Sequence, residues 1–223
     1  MSVMSIHKLA NSVKCFGTRL SHNVKGTASI ELVLLAPMLM IFMVGTLEIS
    51  RAINVDKRVN AATSMAGDLI SREQDLGANP TATLDSIMEV VGHVMHPYDD
   101  ADLRLSVIPV MADAADETRT FVYATPYNYH GGVGSVPGEG SCYEFSGGNS
   151  IMSKGGSVII VKAEYDYTPI LEGFFDNFHF VGASASTTWD DQRTYTDQSI
   201  HSPRTGCVDF AANNCIVSTP GGC

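Results

Sequence analysis

Residues 1–26 contain no acidic side chain. Lys8, Lys14, Arg19 and Lys25 make that stretch +4, and the remainder of the chain holds the other ten basic residues and all 24 acidic ones. So lopsided a distribution belongs to a chain divided between two compartments, not to one folded body. The acidic remainder lacks the cationic surface that displaces counterions from phosphates, which makes nucleic acid a poor partner. Signatures of chemistry are missing as well. There is no G-x-S-x-G, and no serine is marked out beside a particular histidine and aspartate. The glycines of H-G-G-V-G-S-V-P-G-E-G (130–140) lack the lysine and Ser/Thr of a phosphate loop and read as flexible loop. His93 and His96 stand three apart without an H-E-x-x-H arrangement, so they read as surface or boundary residues. Asp99, Asp100 and Asp102 lack the D-x-D-x-D-G spacing of a calcium loop and read as a solvated turn. No catalytic residue, metal, cofactor or small-molecule substrate is therefore expected.

No C-x-x-C pair occurs among the five cysteines, which argues against a zinc site. Cys15 lies in the basic leader. Cys142, Cys207, Cys215 and Cys223 follow the apolar segment and are the disulfide candidates, an even set with three possible connectivities. Free thiols in a cytosolic protein are the plainer alternative.

Residues 28–49 read ASIELVLLAPMLMIFMVGTLEI, with Glu31 and Glu48 as the only ionisable side chains. Twenty-two helical residues span about 33 Å, enough for a hydrocarbon core of about 30 Å. Lys and Arg in the short leader hold the N-terminus inside, so the C-terminal domain is translocated. A cleavable secretory signal is disfavoured, because the run is long and continues into G-T-L-E-I-S-R-A-I-N-V without a small-x-small cleavage site. Glu31 sits about one turn inside this run, where a lone carboxylate costs a few kcal/mol. It either snorkels or is protonated, or it has a dedicated cation. A cut after Gly26 would create one, the new α-amine of Thr27, four residues away on the same chain or on a packed neighbour.

A basic leader ending in Lys25-Gly26, then T-A-S-I-Glu31 and an apolar run, looks like a class III signal for prepilin peptidase. The stretches G-T-A-S-I-E-L-V-L-L-A-P (26–37) and G-T-L-E-I-S-R (45–51) resemble the TadE-like family of minor pilins, or pseudopilins, of the Tad pilus. A-A-T-S-M-A-G-D-L-I-S-R (61–72) and V-K-A-E-Y-D-Y-T-P (161–169) extend the likeness more loosely. The resemblance implies leader removal after Gly26, with Lys25, Gly26 and Thr27 as processing residues. It also implies that Glu31 is needed for processing or assembly, within a packing segment that includes Pro37, Gly45, Glu48 and Arg51. The chain departs from ordinary type IV pilins in having Thr27 where an aromatic is common. It is far longer than the major Tad pilins, and it lacks the D-x-S-x-S site of the larger relatives. A minor, accessory pilin is what remains.

Beyond Arg51 the helix is expected to continue to about Arg72. Ala52, Val55, Val59, Ala62, Ala66 and Leu69 recur at alternating steps of three and four, a stripe suited to core packing or to a subunit contact. Asn79 caps a second helix with Pro80 at its first position, Leu84, Ile87, Met88, Val91 and Met95 form its apolar face, and Pro97 ends it. The period then falls to two at Leu103, Leu105 and Val107, and 120–124, 157–167 and 178–189 read as further strands, with a glycine-rich loop at 131–157. The aromatic set Tyr165, Tyr167, Phe174, Phe175, Phe178 and Phe180 reads as a strand and turn closing the core, or in part as a docking patch. Residues 190–223 show little periodicity and read as a cysteine-containing tail that buries little.

The expected architecture is α+β: a long N-terminal transmembrane helix continuing into an extracytoplasmic domain with a second helix and an antiparallel sheet of about four strands. Its parts are a leader (1–26), a transmembrane helix (27–50), a folded domain (51–189) and the tail (190–223). The functional expectation is a non-enzymatic pilus component in the bacterial inner membrane. Its N-terminus is cytoplasmic and its domain periplasmic, and whether it enters the pilus fibre or stays in the membrane is left open. Its partners are prepilin peptidase, other Tad pilins and the pilus assembly machinery. A membrane-anchored periplasmic enzyme and a simple anchored binding module are the rivals.

Overall fold

The computed structural model describes residues 27–145, 152–169, 193–210 and 215. Two helices and five strands follow in the order α1 (Thr27–Arg72), α2 (Pro80–Gly92), β1 (Leu103–Ala112), β2 (Thr120–Val122), β3 (Tyr127–Tyr129), β4 (Ser157–Tyr167) and β5 (Arg193–His201). The chain divides into two compact units, one ending at Ile49 and one beginning at Ser50. In the first, the described residues are the opening part of α1, and its large apolar side chains are exposed on every side.

The second unit is built on the rest of α1. Val55, Val59, Ala62 and Ala66 are buried and Ala52 and Leu69 partly so, as the stripe predicts, and they face the core of their own domain. Ile70, one step beyond Ala66, takes the buried place expected of Leu69. The Asn79 side chain accepts from the Ala82 amide to cap α2, with Pro80 as its first residue. Leu84, Met88, Val91 and Met95 are buried, each side chain stabilising the fold by about 1.5–3 kcal/mol.

The sheet runs β2-β1-β4-β5, all antiparallel, with β3 sharing the β1 edge that β2 occupies. Alternation along β1 and β4 divides two cores. Leu103, Leu105, Val107, Ile159, Val161, Ala163 and Tyr165 join the helices in the main core. Ile108, Val110, Ala112, Val158 and Ile160 point the other way and pack with Tyr143 and Met152. That second layer explains the unbroken apolar run 158–161, which a sheet with one wet face would not need. Where the layer ends, the outer face turns polar. Arg104 contacts Glu164 at 3.4 Å and Asp166 at 2.7 Å, and Thr194 donates to Asp166 at 2.8 Å.

Three expectations change. The glycine-rich segment is a loop, but one tied to the sheet: Val133 N donates to Ser106 Oγ at 2.7 Å, Gly140 N to the Val122 carbonyl and Tyr143 N to the Thr120 carbonyl. Gly132 has φ +72°, and a Cβ there would meet Ser106 Oγ at 2.7 Å, so both backbone angle and space call for glycine. The supposed tail contains β5, and it also carries Val208 and Phe210 into the main core. Its backbone is held by Leu76 N to Asp209 O and Asp209 N to Gln74 O, both 3.0 Å, while the buried Tyr123 hydroxyl donates to Val208 O at 2.8 Å. The domain thus extends well past residue 189. Finally, β3 has no counterpart among the expected strands. The strand expected at 178–189, along with Phe174, Phe175, Phe178 and Phe180, lies outside the described residues.

Candidate functional site: an exposed apolar helix

The opening part of α1 shows Ile30, Leu32, Val33, Leu34 and Leu35 on near-consecutive positions, each more than half exposed, and the pattern continues through Met38–Met43. A helix apolar all round needs an apolar surrounding, a bilayer or other helices. Among the described residues, α1 is the one helix long and apolar enough to cross a membrane. Its backbone polar groups are almost all satisfied within the helix. Thr46 turns its hydroxyl inward, donating to Phe42 O at 3.0 Å and Met43 O at 2.8 Å, so no solvent is needed. Pro37 lies inside the helix and offers no N–H to the carbonyl four residues before it. A Cβ built on Gly45 meets no described atom within 4 Å, so nothing described in the monomer demands glycine there.

Glu31 is exposed in the second turn, on the apolar segment. Glu48 is half-buried near its far end, and Arg51 is exposed. These two and Pro37 and Gly45 are spread along one helix and do not converge on a pocket. Lys25 and Gly26 lie outside the described residues.

Residues 26–68 match the model of the TadE-like protein family. This segment is TadE-like. The TadE-like match begins at Gly26, includes Glu31, Pro37, Gly45, Glu48 and Arg51, and ends inside α1 at Asp68. It points to a Tad-pilus-related protein associated with a membrane and with pilus components. No curated protein and no solved structure matches the chain.

Elsewhere, Cys207 and Cys215 form a disulfide with Cα atoms 5.8 Å apart, and Cys142 is disulfide-bonded too. His93 and His96 are placed in and just after a short 3-10 turn, both exposed or nearly so. Asp99 accepts from the Ala101 amide at 3.0 Å, capping a second such turn. Tyr165 and Tyr167 are buried in the main core, which leaves no docking patch in that part of the aromatic set. Among the described residues, no three His, Cys, Asp or Glu side chains are grouped to hold a metal.

Sequence reasoning missed one cleft, of about 570 Å³, lined by Leu84, Pro126, Tyr127, Glu139 and Phe210 among others. At its edge Tyr127 donates a short hydrogen bond to Asp85, and Thr125 donates to Glu139. Burial first and Asp85 second push the Tyr127 phenol well above its ordinary range. A neutral phenol clamped to a carboxylate fixes α2 against β3, a structural role. Only the pairing of two residues 42 apart reveals it, and no local pattern in the sequence carries that signal.

Proposed function

We propose that this chain is a minor pilin or pseudopilin of a Tad-type pilus, anchored in the inner membrane with its domain in the periplasm. In this reading, prepilin peptidase cuts after Gly26 on the cytoplasmic side. Mature α1 then packs against other pilins through its apolar surface, and the Thr27 amine pairs with Glu31 of the same or a neighbouring helix. The observation that carries the reading is an apolar helix exposed on all sides within the TadE-like match, which itself starts at Gly26. Gly45 supports it, since a glycine with no packing reason among the described residues lets another helix approach closely. The work done is assembly rather than catalysis.

Intact-mass analysis of protein extracted from membranes tests this directly. A chain beginning at Thr27 is expected. A chain that still begins at Met1 while pili form normally would leave only an anchored extracytoplasmic domain.

A further inference from the structure

The outer edge of β2 is covered only part of the way. Tyr143 N donates to the Thr120 carbonyl at 2.9 Å, Val122 N to the Ser141 carbonyl at 3.0 Å and Gly140 N to the Val122 carbonyl at 2.8 Å. The covering segment thus runs antiparallel to the strand and reaches Val122. There it turns away, through a turn closed by Ser141 N to Gly138 O at 3.2 Å with Gly140 at φ +78°. Between β2 and β3 the chain goes on through Ala124 and Thr125, whose backbone groups make no hydrogen bond among the described residues. Thr125 is exposed. A sheet edge with unpaired amides and carbonyls is a template for another extended chain.

This gap opens into the cleft of about 570 Å³. Sites that take ligand groups measure about 300–1,000 Å³, so there is room for a side chain or two. Pro80, Leu84, Pro126 and Phe210 give the cleft apolar walls. Exposed Glu139 supplies its charge. Thr125 donates to Glu139 Oε2 at 2.5 Å and so holds the carboxylate beside the open backbone, while Oε1 has no partner among the described residues. The other charged group at this place, Asp85, is also acidic and is bonded to Tyr127. No Lys or Arg lines the cleft.

We propose that the cleft is a docking site for an extended segment of a protein partner, in which an aliphatic side chain is followed two residues later by Lys or Arg. The segment's backbone pairs with that of Thr125. Its aliphatic side chain enters between Leu84 and Phe210, and its cation meets Glu139, because residues two apart on an extended chain lie on one face. Charge complementarity selects a basic segment over a second copy of this domain, since beyond residue 26 the chain carries 24 acidic side chains and ten basic ones. Every residue invoked lies in the second compact unit, so the proposal does not depend on the membrane or pilus reading.

The probe is a fluorescein-labelled peptide, Thr-Leu-Thr-Lys-Thr-Thr, titrated by anisotropy against the full detergent-solubilised chain. Its acidic counterpart is Thr-Leu-Thr-Glu-Thr-Thr. The basic peptide is expected to bind with a Kd below about 1 mM. Glu139→Lys should weaken it about tenfold or more and take up the acidic peptide instead. Thr81→Trp, which sets an indole into the cleft from an exposed position, should abolish binding. Glu117→Lys, outside the cleft, controls for general attraction to an acidic protein and should change binding by less than about twofold. No binding at about 1 mM, an equal loss in Glu117→Lys, or no loss in Thr81→Trp would each overturn the proposal. Two other results overturn it by naming a different occupant. Self-association of the wild type that Thr81→Trp abolishes assigns the cleft to a second copy. Peptide binding that appears only once residues 216–223 are removed assigns it to the chain's own end. Urea unfolding checks each variant, and if Glu139→Lys does not fold, Glu139→Gln carries the charge test.

Discussion

The imidazole of His201 occupies the space where a side chain at Gly67 would begin. A Cβ on Gly67 would come within 2.6 Å of His201 Nε2, with two ring carbons also too close. Helix α1 and strand β5 meet at this glycine and, one turn earlier, at the Ser199–Thr63 hydrogen bond. In an exposed helix, Gly→Ala gains about 1 kcal/mol. Here overpacking dominates, and Gly67→Ala is expected to cost about 1–3 kcal/mol in urea unfolding of the detergent-solubilised protein. His201→Ala in the same chain should restore most of that loss. Equal stability of the wild-type and Gly67→Ala proteins would refute the contact.

Gly45 makes the opposite case. With no described atom near its Cβ position, Gly45→Leu should leave the unfolding curve of the domain within about 0.5 kcal/mol of wild type. In cells the same change should reduce pilus output, because a bulky side chain would hold a neighbouring helix away.

Glu31→Ala separates assembly from folding in the same way. The exposed side chain contributes nothing to the domain core, so thermal unfolding should be unchanged. Leader removal or pilus assembly should fall. If both proceed as in wild type, the pairing with the Thr27 amine is wrong.

Alkaline pH should weaken the domain through its buried tyrosines. Burial first, then Asp102 and Asp99, push the Tyr165 phenol up to about 12, and burial raises Tyr123 and Tyr127 as well. The neutral phenol is the form the fold accommodates, so its folded pKa lies above the unfolded value of about 10. The stabilisation is therefore complete below pH of about 10 and is lost as pH rises through about 12, by up to roughly 1.4 kcal/mol per pH unit for each such tyrosine. Denaturant titrations at stepped pH, with phenolate absorbance followed in parallel, would reveal this. Three tyrosines titrating near their ordinary value in the folded state would contradict it.

Cysteine chemistry gives a further check. Cys207 and Cys215 are eight residues apart, and closing so short a loop stabilises by about 2–3 kcal/mol. Cys207→Ser should lose about that much. Cys142 is bonded as well, and with Cys207 and Cys215 taken, Cys15 and Cys223 remain. In the proposed orientation only Cys223 shares the side of the membrane that Cys142 occupies. Non-reducing peptide mapping is expected to return a 142–223 cross-link, and a 15–142 cross-link would overturn the topology.

Periodicity made α1, α2, β1 and β4 legible in advance, because each buries one continuous stripe or two alternating ones. It failed at β5 for a physical reason. On the side of β5 that faces the helix, Ser199 meets Thr63 and His201 meets the small Gly67, so that only Tyr195 packs on the apolar core. Val208 and Phe210 escape a pattern search because two residues are too short a run to show a period. The apolar stretch of α1 was readable because its signal is composition over many positions.

Val208 and Phe210 complete a core that Val55 begins, and they follow β1 to β5 in the chain. Without them the inner faces of α1, α2 and the sheet would lack part of their cover. A chain cut short before Val208 would therefore keep an open core, vulnerable to proteases.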